Sequence, residues 1–120
     1  MKRLSLFIYF VLITVLQAAA QQSFDKTAVK SVMKRVADWQ IANPNKGAEH
    51  DDLDWTHAAL YMGMLDWAEL TEKEDSDDSY YQWLLRIGQR NHFQIGKWMY
   101  HADVIAVGQP FIDLYLKYGN

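Results

Sequence analysis

Two stretches of this sequence keep almost no polar face. WTHAALYMGMLDWAEL (Trp55 to Leu70) and ADVIAVGQPFIDLYL (Ala102 to Leu116) read as helices that are apolar nearly all the way round. A helix of that kind must be buried on every side. Neither is long enough to span a membrane, which takes roughly 20 apolar residues. Two further stretches are amphipathic. From about Asp25 to Ile41, Val29, Val32, Met33, Val36 and Trp39 recur at helical spacing, with Lys30, Lys34, Arg35 and Asp38 on the other face. From about Ser79 to Asn91, Tyr80, Trp83, Leu84 and Ile87 oppose Arg86, Gln89 and Arg90. Two amphipathic helices cannot wrap two fully apolar ones, so the pattern predicts neighbours beyond these four.

Local signals mark the boundaries. NPNKG (Asn43 to Gly47) ends the first helix, and Asp54 is placed to cap the second, which runs from about Asp54 to Glu72. EKEDSDD (Glu72 to Asp78) reads as a solvated turn, with Ser76 or Asp77 capping the third helix. The fourth runs from about Ala102 to Tyr118 and stops at Gly119-Asn120. No alternating strand pattern appears, so the expected fold class is all-α. Leu60, Gly63, Trp67 and Leu70 match Ile105, Gly108, Ile112 and Tyr115 at a constant offset of 45. Outer–inner helical hairpins repeating at this length build solenoids or closed toroids.

The first twenty residues stand apart. Lys2 and Arg3 precede an apolar run from Leu4 to Leu16, and Ala18-Ala19-Ala20 supplies small residues before Gln21. That is the layout of a cleavable secretory signal. The expectation is a signal peptide over 1–20, cleavage near Ala20, a periplasmic or secreted product and no membrane contact after cleavage. The chain has no cysteine, which removes disulfides, thiolate nucleophiles and a lipoprotein anchor. A formal charge of −3 gives no basic footprint for nucleic acid. Five Trp, seven Tyr and five Phe in 120 residues mean either a densely packed helical core or a surface that stacks on flat ligands such as sugars.

Chemistry is expected where the inner helices begin. Stacked hairpins run their inner helices parallel, so the N-terminal ends gather at one mouth. The second helix enters with His50, Asp51, Asp52, Asp54, Trp55, Thr56 and His57, and the fourth with Trp98, Tyr100, His101 and Asp103. Sugars are commonly held by an aromatic face against ring C–H groups and by carboxylates on the hydroxyls. Plainer readings stand beside this one. Asp51 and Asp52 read as solvated loop acids, Asp54 as a cap and His57 as an ordinary helix residue. Consecutive carboxylates in EHDDLD do not converge on a metal. Asp103 is either a first-turn acid favoured by the helix dipole or a pocket residue.

DWTHAALYMGMLDWAELT (Asp54 to Thr71) resembles the first inner helix of glycoside hydrolase family 105, the unsaturated rhamnogalacturonyl hydrolases, relatives of family 88. WMYHADVIAVGQPFIDLY (Trp98 to Tyr115) resembles the next, whose hallmark is His-Ala-Asp followed by Gly-Gln. The resemblance covers the chain after the signal. It departs at Val104, where many members carry a second Asp, and at His57, where Asn is common.

The resemblance implies an (α/α)6 barrel of six hairpins, of which residues 21–120 would be the N-terminal part. It implies hydrolysis of oligosaccharides ending in a 4,5-unsaturated uronic acid, as in pectin or rhamnogalacturonan breakdown. The double bond is protonated and hydrated, the hemiketal opens, and the sugar leaves. Asp103 would hold ring hydroxyls and assist proton movement, and the principal acid/base would lie beyond Asn120. Trp55, Thr56, His57 and His101 would bind substrate, and no metal or organic cofactor is expected. Alone, the chain is expected to be inactive and poorly folded. The rival reading is a periplasmic helical-repeat interaction module of tetratricopeptide type. It explains paired helices, but its usual period of about 34 residues falls short of 45.

Overall fold

The computed structural model describes residues 25–44, 51–98 and 100–119, and the regular structure among them is wholly helical. The expected signal peptide and His50 lie outside the described residues, as does most of NPNKG. In chain order the helices are α1 (Lys26–Ala42), α2 (Trp55–Asp75), α3 (Ser79–Arg90) and α4 (Ala102–Tyr118). None is long and apolar enough to cross a membrane. The chain divides into two compact units, Met1–Asp38 and Trp39–Asn120, with most of α1 in the first.

α1 is closed locally at both ends. The Asp25 carboxylate accepts from Ala28 N–H at 3.0 Å, and the Asn43 side-chain amide donates to Trp39 C=O at 2.8 Å. Lys34 and Asp38 pair one turn apart at 2.7 Å. Ala37 is buried, whereas the expected apolar face of Val29, Val32, Met33, Val36 and Trp39 is exposed.

In the second unit α2 is the central element and packs against both α3 and α4. Its buried residues take in Ala58, Tyr61, Met64, Leu65, Trp67, Ala68 and Thr71. Before the charged last turn of Lys73, Glu74 and Asp75, only a narrow stripe of Trp55, Ala59, Gly63, Asp66 and Glu69 stays exposed. Aromatic edges lock the contact with α3, Trp67 against Tyr80 at 5.8 Å and Tyr61 against Trp83 at 6.0 Å. The buried Trp67 Nε1 finds no hydrogen-bond partner among the described residues.

The helix α2 runs three residues past its expected end, so Glu72 to Asp75 form its last turn instead of a loop. Ser76 then adopts φ 56° and closes it, its N–H donating to Glu72 C=O while Asp77 N–H donates to Thr71 C=O. The N-cap of α3 is Asp78, not Ser76 or Asp77 as expected, and its side chain makes no capping bond; Asp77, one residue earlier, accepts from Ser79 N–H at 3.0 Å. At the other end of α3, His92 and Phe93 are both left-handed, with φ 54° and 52°. Phe93 N–H donates to Gly88 C=O at 2.7 Å, and its ring folds back over Gly88. A Cβ on Gly88 would stand 2.3 Å from that ring, so any larger residue there must displace it.

α4 buries Val107, Pro110, Phe111 and Leu114, and Phe93 meets Phe111 edge-on at 5.6 Å. Ile105, Ile112, Tyr115 and Leu116 are exposed. An apolar groove of about 820 Å³ runs between α3 and α4, walled by Leu85, Phe93, Ile95, Ile105, Ile112 and Tyr115.

α2 and α4 are parallel. Lys117 bonds Glu72 at 2.5 Å, while Asp113 and Leu116 share a cleft with Met62, Asp66 and Glu69, so lower numbers on one helix meet lower numbers on the other. The Glu72–Lys117 pair has the separation of 45 that relates the repeated motifs.

Candidate functional site

The parallel packing brings the N-termini of α2 and α4 to one end. At a rise of about 1.5 Å per residue, Thr56 and His101 each stand about 24 Å up their helices from the Glu72–Lys117 pair. Both helices turn the positive ends of their dipoles that way, which favours an anionic or hydroxyl-rich ligand there.

At the α2 mouth most polar groups are already committed. Asp54 Oδ1 accepts from both the backbone N–H and the hydroxyl of Thr56, each at 2.9 Å, so this pair is a helix cap. Trp55 is 52% exposed and presents an open ring. His57 is turned inward. Its ring is buried, stacks on Tyr61 at 5.8 Å, and places Nδ1 2.6 Å from Asp51 C=O. A carbonyl only accepts, so Nδ1 carries the proton.

Asp52 is not the solvated loop acid the sequence suggests. Arg90 grips it with Nε at 2.5 Å and Nη2 at 2.6 Å, and the Asn91 amide adds a bond at 2.8 Å. Burial by itself would raise this carboxyl. The bonds from Arg90 and Asn91, with the Arg90 charge, outweigh burial and hold it below the usual carboxylate range. The neighbouring Tyr61 hydroxyl is pushed well up, by its burial first and by the Asp52 charge second.

At the α4 mouth the groups stay open. His101 occupies the N-cap position, but its side chain makes no capping bond. Its Nδ1 lies 3.5 Å from Asp103 Oδ2, and both side chains are more than half exposed. Asp103 sits in the first turn of α4, where the helix dipole favours its negative charge. The structure thus joins His101 with Asp103, and Thr56 with Asp54, and commits one His57 nitrogen to the fold.

A carboxylate, an imidazole and an indole at the mouth of paired helices suit a polyhydroxylated ligand, whereas the apolar α3–α4 groove does not. Residues 28–120 match the family model of Glycosyl Hydrolase Family 88. The chain belongs to glycosyl hydrolase family 88. No curated protein and no solved structure matches it. Membership makes the helices part of a six-hairpin helical toroid, and it makes carbohydrate the substrate class.

Sequence reasoning missed both ionic ties. Nothing in the sequence joins Asp52 to Arg90, 38 residues on. Glu72 and Lys117 did carry a signal, since their separation equals the repeat.

Proposed function

We propose that this chain serves hydrolysis of oligosaccharides that end in a 4,5-unsaturated uronic acid, the products of polysaccharide lyases. Within the family it is of the unsaturated rhamnogalacturonyl type, acting in pectin breakdown after export to the periplasm or beyond. The reading rests on the open His101–Asp103 pair at the α4 mouth, the position of the His-Ala-Asp hallmark, at the same end as the exposed Trp55. Asp103 accepts hydrogen bonds from ring hydroxyls and so fixes the sugar for protonation of its double bond. The principal acid/base belongs to a later inner helix of the toroid. Trp55 offers a face for the ring.

Titrating the full chain with lyase-generated oligosaccharides, and with their saturated counterparts, tests this. Preference for the unsaturated end is expected, and Asp103→Ala should weaken binding about 10- to 100-fold, as loss of a bond to a charged acceptor does. Hydrolysis would also destroy the absorbance of the unsaturated bond, whereas a lyase would create it. Equal binding of both oligosaccharide types, or indifference to Asp103→Ala with helicity unchanged, would overturn the reading.

A further inference from the structure

Two aromatic side chains ahead of α4 bury almost nothing. Trp98 is 71% exposed and Tyr100 94%, more than any other aromatic residue described. They nevertheless stand on a defined piece of backbone. His101 N–H donates to Trp98 C=O at 2.9 Å. His101 C=O then accepts from Val104 and Ile105 N–H at 3.1 and 3.0 Å. Through His101 these bonds tie Trp98 to the first turn of α4, which carries Asp103. Lys97, exposed, comes directly before them and adds a cation.

A single exposed aromatic is ordinary, but a cluster beside a ligand-binding carboxylate marks a contact surface. Trp and Tyr combine a flat apolar face with a polar edge, which suits the C–H face and hydroxyl rim of a pyranose. A lysine ammonium is a mobile point charge that can follow a carboxylate without fixed geometry. We infer that Lys97, Trp98 and Tyr100 form an outer subsite for the sugars beyond the terminal uronate, with Trp98 and Tyr100 as stacking faces and Lys97 as the partner of an acidic unit. The ligand class is an acidic oligosaccharide of two or more units. The inference rests on the proposed function for its terminal sugar only.

The test compares binding of the full chain to the methyl glycoside of an unsaturated uronic acid and to an unsaturated tetrasaccharide of the same lyase product. The tetrasaccharide should bind more tightly. Trp98→Ala and Tyr100→Ala should each cut that gain about two- to tenfold and leave the methyl glycoside unaffected. Trp98→Phe keeps a stacking ring and should retain most of the gain, and Lys97→Gln should remove its salt dependence. Helical circular dichroism of each variant separates lost contact from lost structure. Equal affinity for the two ligands, or an equal loss on both, overturns the outer subsite while leaving the proposed function standing. Binding of neither ligand overturns both. Tight binding of saturated and unsaturated tetrasaccharides alike, still dependent on Trp98 and Tyr100, keeps the subsite and removes the proposed function.

Discussion

α2 and α4 both carry a stretch that is apolar nearly all round, yet the fold treats them differently. α2 lies between α3 and α4, and its exposed stripe is mostly small or acidic: Ala59, Gly63, Asp66 and Glu69. α4 buries one face and leaves Ile112 55% and Leu116 76% exposed. Polarity patterning alone would have called both buried all round. What distinguishes them is the number of neighbours, a property of the assembly that no single helix encodes.

The largest test of this difference lies in the core. Trp67→Ala should destabilise by about 3–5 kcal/mol, since the indole is buried against Tyr80. Trp67→Phe should cost far less, because it also removes the unpaired Nε1 donor. Ile112→Ala on α4 should stay within about 0.5 kcal/mol. Chemical denaturation reads all three, and comparable losses at Trp67 and Ile112 would break the comparison.

A smaller effect concerns the tie that holds α3 to the start of α2. Asp52→Asn should cost about 1–2 kcal/mol, discounted because Arg90 is half-exposed to screening solvent. The folded Asp52 carboxyl titrates below its unfolded value of about 3.9. Its stabilisation is therefore present above that value and lost as pH falls through the folded one. Acid unfolding of the native chain should show this loss below about pH 4, and the Asn variant should lack it.

The smallest effect compares register mates. A Cβ at Gly63 meets nothing within 4 Å, so Gly63→Ala should stabilise α2 by about 0.5–1 kcal/mol. At Gly108 the Cβ would stand 3.3 Å from Ile95, so that side chain must shift and the gain should shrink. Equal shifts in melting temperature would mean that Ile95 does not rest on α4.

Much of this architecture is legible in the sequence, because its signals are local. The Asp54 cap, the Asp77 bond to Ser79 and the stop at Gly119 each depend on residues a few positions apart. The extension of α2 through Asp75 was not legible, since an acidic run reads equally as an exposed helical turn or a loop. Tyr81 was missed on α3 because its burial comes from Tyr118 and Lys117, which reach it from α4. At the site, His101 and Asp103 could be named from their place before an apolar helix. The inward turn of His57 could not, because it is set by a carbonyl six residues upstream in a loop.

The separation of 45 residues between Glu72 and Lys117 also bears on the order of assembly. α2 and α3 are joined by a short turn and close with little loss of chain entropy, whereas seating α4 closes a much longer loop. α4 is therefore the first segment to detach in native fluctuations, and its amide hydrogens should exchange with solvent while those of α2 and α3 stay protected. Because Asp103 travels with α4, the segment that meets the sugar is also the one whose seating the sugar can favour by mass action.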